Sequence, residues 1–256
     1  MRVLLTGGAG FIGQHVLRVL LSRDHEVRVL DSLRKDVHSD AQWTAPADVE
    51  LCVGDVRDAS AIDRALSGVE AVLHLAAKVG LGVAVGDMPD YASSNDAGTA
   101  ELLAGMARGG VQRLTLASSM VVYGEGIGYC AQHGAVTPGP RIETALAAGE
   151  FESPCPACRR PLAATLVGEN TPLDPRNAYA TSKVAQEFYA SNWSRVTGGS
   201  VAALRYHNVY GPACRETHPT LALRQFLPRR CGAAKLRRFS RTADNGATSS
   251  MCGTLP

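Results

Sequence analysis

The stretch "YATSK" contains a tyrosine and a lysine that could act together on a proton. Tyr179 and Lys183 are four positions apart, so they lie on the same face if this segment is helical. A phenol with an ordinary pKa of about 10 is a poor base at neutral pH, but nearby positive charge stabilises the phenolate and lowers that pKa. The pair therefore predicts a general acid or base, although the same spacing taken alone is most often an ordinary helix surface.

A glycine-rich turn near the N-terminus predicts a phosphate-binding site. Residues 2–6 are a short apolar strand, "TGGAGFIG" follows, and "QHVLRVLLSR" has apolar residues at helical spacing. In such a unit Gly7 permits the tight turn, Gly10 the close approach of a pyrophosphate, and Gly13 close helix packing. The N-terminus of the helix adds positive potential for the phosphates.

A second predicted strand, "EVRVLD", ends in Asp31, about 20 residues after the glycines. A carboxylate there can accept hydrogen bonds from both ribose hydroxyls of an adenosine and would repel a 2′-phosphate, so the pattern favours NAD over NADP. The alternative is a glycine turn without a ligand and an aspartate that caps a strand.

Further alternation of strands and helices predicts the fold. "VELCVGDVRD", "EAVLHLAA" and "RLTLASS" read as strands, with a helix from about Tyr91 to Arg108 between the last two. This order predicts an α/β fold, a doubly wound parallel sheet of the Rossmann type. With 256 residues, 45% of them apolar, the chain can bury a sizeable core.

Six motifs occur in an order that resembles one family: "TGGAGFIG", "GDVRD", "HLAA", "SSMVVYG", "YATSK" and "RYHNVYGP". They resemble the extended short-chain dehydrogenase/reductases, the NAD-dependent epimerase/dehydratase family, over residues 1–212. The resemblance implies NAD as cofactor and Tyr179 as the catalytic base. It also implies that Lys183 supports this base and holds the nicotinamide ribose, and that Ser119 hydrogen-bonds the sugar oxygen that is oxidised.

The resemblance further implies which residues surround the cofactor and the substrate. Met120 and Asn208 are expected on the substrate side. The residues expected to bind NAD are Gly7, Gly10, Phe11, Ile12, Gly13, Asp31, Asp55, Val56, Ala76, Ala77, Lys78, Asn95, Ser118, Tyr179, Lys183 and Tyr206.

The two positions after Ser119 indicate the reaction. Dehydratases of the family carry an acidic pair there, whereas this chain has Met120 and Val121, neither of which can transfer a proton. A 4-epimerase needs only hydride removal, rotation of the keto-sugar and hydride return, so we predict a nucleotide-sugar 4-epimerase. The alternatives are an inactive NAD-binding remnant, or a nucleotide-sugar reductase or dehydratase of the same family.

An insertion of about 45 residues, longer than an ordinary loop, separates "YGEG" from "TPLDPRNAYATSK" and contains "CAQH" and "CPAC". Cys130, His133, Cys155 and Cys158 have the spacing of a zinc ribbon, in which four protein ligands leave no open position and make the zinc structural. The alternative is four reduced side chains in a loop. A subset of the family that acts on dTDP-deoxysugars has a similar insertion, matched here by "CPACRRPL", which favours a dTDP-deoxysugar as substrate.

The last 44 residues lack the periodicity of a strand or helix, and they carry eight Lys/Arg against two Asp/Glu. Read one base out of frame, Cys214 to Pro256 permits "YAGVASIF" and "FEDGGQRRDFVHVRDVA", which resemble what the family has after "NVYGP". We therefore predict a frameshift near Ala213 and a truncated substrate domain. The predicted parts are an NAD-binding core (1–124), a Cys-rich insertion (125–170), the catalytic helix with its following strand (171–212), and an out-of-frame, disordered tail (213–256).

Composition limits where the chain works and what it binds. The sequence shows no leader-like segment and no apolar run near the roughly 18 residues of a membrane span, so we expect a cytoplasmic protein. In that compartment its seven cysteines should be reduced thiols or metal ligands. The expected partners are a nucleotide sugar and a second copy of the chain. Residues 1–212 are mildly acidic and give no support for binding to nucleic acid or membrane.

Overall fold

A parallel six-stranded sheet forms the centre of the computed structural model, which describes residues 1–38, 43–80, 82 and 84–211. The strands are β1 (Arg2–Thr6), β2 (Glu26–Asp31), β3 (Val49–Val53), β4 (Ala71–His74), β5 (Arg113–Ser119), β6 (Gly128–Cys130), β7 (Gly134–Val136), β8 (Ala163–Ala164) and β9 (Ser200–Tyr206). The large sheet has the order β3-β2-β1-β4-β5-β9. Because the chain changes direction between β1 and β4, a crevice opens at the carboxyl ends of these two strands. The predicted doubly wound α/β fold is confirmed.

The helices are α1 (Phe11–Leu21), α2 (Lys35–His38), α3 (Ala59–Leu66), α4 (Met88–Tyr91), α5 (Gly98–Gly109), α6 (Glu143–Ala147) and α7 (Ala178–Thr197). The longest of them, α7, has clear signals at both ends. The side chain of Asn177 accepts a hydrogen bond from the backbone of Ala180, and Gly198 ends the helix with φ of +75°.

Two layers of apolar side chains cover the sheet because alternate residues of each strand point to opposite faces. Leu4 packs with Leu102 and Trp193 beneath α3, α5 and α7, whereas its neighbour Leu5 packs with Leu17 beneath α1. Strands covered on both faces read as continuous apolar runs, which is why β1 and β2 could be recognised from sequence.

The predicted helix from Tyr91 to Arg108 is longer and less regular than expected. Helical structure begins at Met88, passes through a widened π turn at Ala92–Ala97, and ends at Gly109. Asn95 lies in the widened turn and is fully buried. π turns of this kind are frequent near functional sites.

The Cys-rich insertion contains a small antiparallel sheet of its own, in the order β7-β6-β8. An isolated β-bridge joins Pro154 to Pro161, on either side of Cys155 and Cys158. The predicted out-of-frame tail lies outside the described residues. Among the described residues, no helix is long and apolar enough to span a membrane.

Candidate functional site

The predicted phosphate-binding turn lies between β1 and α1, and close backbone contacts make glycine necessary there. Gly7 has φ of +71°, and a Cβ atom on it would lie 2.7 Å from the backbone nitrogen of Ala76. A Cβ on Gly13 would lie 2.2 Å from the Gly7 carbonyl oxygen. Gly10 is the N-cap of α1, so no side chain accepts from the first helical amides, and an anion can do so instead. Phe11 and Ile12 form the start of that helix.

Asp31 ends β2 with its carboxylate turned towards the glycine turn. The side chain is buried and accepts hydrogen bonds from the backbone nitrogens of Ala9 and Leu33, both at 3.0 Å. His38 Nε2 lies 3.4 Å from the same carboxylate. The carboxylate is therefore fixed beside the turn, where the predicted adenosine ribose would lie.

Ser119, Tyr179 and Lys183 are brought together at the carboxyl end of β5. The Ser119 hydroxyl lies near enough to Tyr179 to lower the pKa of its phenol, and Lys183 Nζ lies 5.8 Å from the centre of the Tyr179 ring. Lys183 is buried, and its ammonium donates to the carbonyl of Ala117 at 2.8 Å. The sequence placed these three side chains in one site, and the geometry agrees; their catalytic roles stay a prediction.

Burial acts on both titratable members of this group. It raises the pKa of Tyr179, and the neighbouring Ser119 hydroxyl opposes this only in part. It lowers the pKa of Lys183 to about 8, although the nearby Glu187 carboxylate favours the ammonium. In this state the phenol is protonated at neutral pH, so a further positive charge beside the ring is needed to make Tyr179 a base.

Two side chains predicted to touch the cofactor, Asn95 and Ser118, already donate their protons to protein atoms. The Asn95 amide nitrogen donates to Lys78 O at 3.0 Å and to Ser182 Oγ at 2.8 Å, while its oxygen accepts from Lys78 N at 2.7 Å. The Ser118 hydroxyl donates to Glu187. In the structure both side chains hold neighbouring residues in place, and direct contact with a cofactor stays a prediction.

The residues predicted on the adenosine and phosphate side lie along the crevice. Hydrogen bonds from Arg57 hold the pKa of Asp55 below its usual value. Val56 packs against the core beside α5. Ala76 and Ala77 follow β4 directly, and the Lys78 ammonium pairs with Asp90.

The residues predicted on the nicotinamide and substrate side lie around the ends of β5 and β9. Tyr206 is opposite Ser119 in the strand register. Met120 begins the 3₁₀ turn that follows Ser119 and is half-buried, whereas Asn208 is exposed beyond the end of β9.

Sequence reasoning missed a charged pair beside the group of Ser119, Tyr179 and Lys183. Arg205 donates to both carboxylate oxygens of Glu187, with a shortest separation of 2.7 Å, and also to the Tyr123 hydroxyl and to Glu169 O. It thereby ties together α7, the turn after Ser119, and the end of the insertion. The spacing of Glu187 four residues after Lys183 was a signal, but the partner from β9 was not visible in the sequence.

The four predicted metal ligands also come together. The ligand atoms of Cys130, His133, Cys155 and Cys158 all lie within 4.8 Å of one another. Cys130 Sγ is 3.6 Å from Cys158 Sγ, and His133 Nδ1 is 3.5 Å from the sulfurs of Cys130 and Cys155. A tetrahedral zinc with bonds of about 2.3 Å to sulfur and about 2.0 Å to nitrogen separates its ligand atoms by similar distances. The cluster therefore has the composition and size of a closed zinc site.

Arg160 lies against this cluster. Hydrogen bonds from its side chain and backbone lower the pKa of Cys158 to about 6. Arg160 also donates to Gln132, which lies between Cys130 and His133 in the sequence. Together with Cys52, the three clustered cysteines are free thiols in the described part of the chain.

The fold and the site together define a Rossmann protein with a glycine turn of the dinucleotide-binding type and a Ser–Tyr–Lys group at the carboxyl ends of its strands. The sequence profile of the NAD dependent epimerase/dehydratase family matches residues 3–148 and 156–245, and the chain belongs to this family. The resemblance drawn from the motifs is confirmed. The match continues past Ala213, where the out-of-frame reading begins, and that reading stays a prediction.

Similar proteins include both epimerases and dehydratases. A dTDP-L-rhamnose 4-epimerase from Burkholderia thailandensis is 35% identical over 82% of this chain, which spans 58% of that relative. The structure of Thermus thermophilus UDP-glucose 4-epimerase in complex with NAD has a TM-score of 0.63 at 30% identity, over 86% of this chain and 59% of that one. A dTDP-glucose 4,6-dehydratase from Streptomyces venezuelae with NAD bound has a TM-score of 0.60 at 29% identity, over 83% and 57% respectively.

Proposed function

We propose that this chain is an NAD-dependent nucleotide-sugar 4-epimerase that transfers a hydride reversibly at the C4 atom of the sugar. The observation that carries the proposal is the grouping of Ser119, Tyr179 and the buried Lys183 at the carboxyl end of β5. This group lies at the carboxyl ends of the strands, in the same sheet as the glycine turn. The similar UDP-glucose 4-epimerase from Thermus thermophilus has NAD bound.

The crevice fits NAD on its own geometry. Gly7 and Gly13 pack against backbone atoms too closely for any side chain, which keeps the turn before α1 tight, and two backbone amides hold the Asp31 carboxylate beside that turn. NAD, when bound, supplies a reversible hydride acceptor and the positive charge of its nicotinamide ring.

The chain's own residues then move one proton. Tyr179, as phenolate, accepts the proton of the C4 hydroxyl while the hydride leaves C4, and it returns this proton when the hydride is delivered to the other face of the sugar. Ser119 holds the C4 oxygen through its hydroxyl. The Lys183 ammonium stabilises the phenolate, because it lies one helical turn away in a site of low dielectric.

The residues after Ser119 favour epimerisation over dehydration. Elimination of water across C5 and C6 needs an acid and a base beside those carbons, and Met120 and Val121 supply neither. The similarity to a dTDP-L-rhamnose 4-epimerase supports a dTDP-deoxysugar as the substrate. The similar UDP-glucose 4-epimerases make a UDP-hexose the second choice.

Two measurements on the full chain test this function. Calorimetry with NAD should show binding, and NMR of a dTDP-deoxysugar incubated with protein and NAD should show its C4 epimer appear without net NADH. Binding without conversion would instead support the alternative of an inactive NAD-binding remnant. Release of water from the sugar would support a dehydratase.

We also propose that the cluster of Cys130, His133, Cys155 and Cys158 holds a structural zinc ion. The support is a donor set of three sulfurs and one imidazole nitrogen, with separations of 3.5–3.6 Å between the measured pairs. Elemental analysis of purified protein should find one zinc per chain. Cys155→Ser should lose it and Cys52→Ser, a free cysteine in β3, should keep it; equal zinc content in the two variants would contradict the site.

A second copy of the chain is the partner that we propose for the outer face of α7. Tyr189 is 46% exposed and Val196 is 77% exposed on this helix, and both line a groove with Ala104 of α5. Exposed apolar side chains grouped in this way are typical of contact surfaces. Sedimentation should show a dimer that Val196→Lys weakens, whereas Val85→Lys, on a separate exposed turn, should leave it unchanged.

A further inference from the structure

A buried chain of hydrogen bonds connects the glycine turn to the catalytic helix through His74. This histidine ends β4 and is 1% exposed. Its Nδ1 lies 2.7 Å from Thr6 Oγ1, and its Nε2 lies 2.9 Å from Thr99 Oγ1. Thr99 Oγ1 also accepts from Gln186 Nε2 at 2.6 Å, and Gln186 lies in α7 one turn after Lys183.

The contacts of Thr6 fix the position of the imidazole proton. Thr6 Oγ1 accepts from the backbone nitrogen of Ala76 at 3.1 Å and from that of Leu75 at 3.2 Å, which it shares with the Thr6 carbonyl oxygen at the same distance; the two amides together occupy both of its lone pairs. The Thr6 hydroxyl proton must then be donated to His74 Nδ1. Because Nδ1 is an acceptor, the neutral ring carries its proton on Nε2 and donates it to Thr99.

The other protonation states of His74 fit poorly. A proton on Nδ1, in either the second tautomer or the imidazolium, would place three donors on the two lone pairs of Thr6 Oγ1. Burial and the charge of Lys183 act in the same direction and lower the pKa of His74 to about 3. The ring is therefore neutral at every pH at which the protein would work.

We propose that neutral His74, protonated on Nε2, is a positioning residue that couples the glycine turn to the helix of Tyr179 and Lys183. At one end of this series of hydrogen bonds, Thr6 holds the Ala76 amide, whose nitrogen lies 2.7 Å from where a Cβ on Gly7 would be. At the other end, Thr99 holds α7 through Gln186. The Thr6 and Thr99 hydroxyls each accept two hydrogen bonds in this series. A displacement of the glycine turn or of α7 therefore removes a hydrogen-bond partner from a buried group at the opposite end. A ligand that orders the turn thereby also orders the catalytic helix.

The protonation state can be tested without any ligand. In an imidazole ¹⁵N–¹H correlation spectrum, with His74 assigned by comparison with His74→Gln, we expect a proton on Nε2 only and shifts that stay constant from pH 5.5 to 9. A proton on Nδ1, or titration of the ring in this range, would overturn the assignment.

The coupling between the glycine turn and α7 rests on the proposed function, because NAD is the ligand. A double-mutant cycle measures this coupling. Thr6→Val and Gln186→Leu, alone and together, are compared by calorimetry with NAD. We expect Gln186→Leu to weaken NAD binding by roughly threefold to tenfold although it lies outside the crevice, and the double variant to lose less than the product of the single effects. Thr6→Ser, which keeps the hydroxyl, should restore most of the affinity lost in Thr6→Val.

Independent single effects, or unchanged affinity in Gln186→Leu, would overturn the coupling. A wild-type chain that binds no NAD would refute the proposed function instead. The coupling is then decided by hydrogen exchange at the Ala76 amide, which should be several times faster in Gln186→Leu than in the wild type. Unchanged exchange would overturn it there too.

Discussion

The Tyr179 hydroxyl is the atom on which the proposed chemistry depends. Tyr179→Phe keeps the ring beside Tyr91, whose ring centre is 6.1 Å away, and beside the Lys183 ammonium, so NAD affinity should change little. Loss of the proton acceptor should lower the rate of epimerisation by about 10² to 10⁴. NMR of the sugar and calorimetry with NAD check the two halves of this prediction.

The control for that variant is Tyr129→Phe, because Tyr129 is 54% exposed in the small sheet of the insertion, which contains none of Ser119, Tyr179 and Lys183. It should leave both measurements unchanged. Retention of turnover in Tyr179→Phe would disprove the assignment of the base.

Lys183 gives the free energy of unfolding a dependence on pH whose sign follows from burial. Its pKa is lowered to about 8 in the folded chain and returns to its ordinary value of 10.5 on unfolding. Between these values the unfolded chain binds the extra proton, so this residue makes stability rise with pH, by at most about 1.4 kcal/mol per pH unit. Its contribution is fully present above pH 10.5 and is lost as the pH falls through 8.

Urea unfolding of the wild type and of Lys183→Met at several pH values checks this dependence. The difference in stability between the two proteins should shift in favour of the wild type as the pH rises from 8 towards 10.5. A difference that stays constant with pH would show that Lys183 has an ordinary pKa in the folded chain.

At the scale of elements, Arg28 joins β2 to the end of α3. Its guanidinium donates to the carbonyls of Ala65 at 2.8 Å and Ser67 at 2.7 Å, and pairs with Glu50 at 2.7 Å. The side chain of Arg28 is 9% exposed and Ala65 is buried, so removal of the guanidinium leaves the Ala65 carbonyl without this donor and with no water to replace it. Arg28→Met should lower the free energy of unfolding by about 1–3 kcal/mol.

Arg2→Met is the matched control for this variant. Arg2 also lies on a strand of the sheet and pairs with Glu26 at 2.8 Å, but the two side chains are 43% and 70% exposed. Exposed pairs of this kind contribute about 0–1 kcal/mol. Chemical denaturation should therefore separate the two variants, and equal losses would contradict the role of Arg28 at the end of α3.

The sequence predicted those elements whose signals are local. β1, β2 and β5 follow from continuous apolar runs, and the glycine turn follows from residue types at fixed spacing. The π turn at Ala92–Ala97 was not predicted, because it accompanies hydrogen bonds of Asn95 to Lys78 and Ser182, which lie far away in the chain. The short strands of the insertion escaped prediction for a similar reason, since three residues are too few to show a period.

The residues of the site also fall into those with a local sequence signal and those without one. Ser119, Tyr179 and Lys183 could be placed together because their motifs are specific, and the Cys and His ligands because their spacing is. His74 and Arg205 were given no role. Their partners are up to 82 positions away, so that only the folded chain shows that the two residues connect the parts of the site.

The predicted change of reading frame concerns the whole molecule. It implies that the genomic sequence near codon 213 also encodes "RRDFVHV" in another frame. Sequencing of the gene checks this, and its absence from every frame would refute the prediction. A chain translated in that frame should bind a nucleotide sugar more tightly than the present chain, because the family resemblance implies that this segment contributes to the diphosphate site.

Within the described residues, the outer edge of the large sheet is a second surface that favours association with other chains, besides the outer face of α7. Among the described residues β9 pairs only with β5, and Leu204 on this strand is 42% exposed, although parallel sheets are normally covered on both faces. An edge strand with an exposed apolar side chain favours pairing with other chains. Leu204→Lys should therefore reduce light scattering on warming, while Val85→Lys, which replaces a more exposed valine away from any strand, should not. If both substitutions reduced scattering equally, net charge and not the edge of β9 would be the cause.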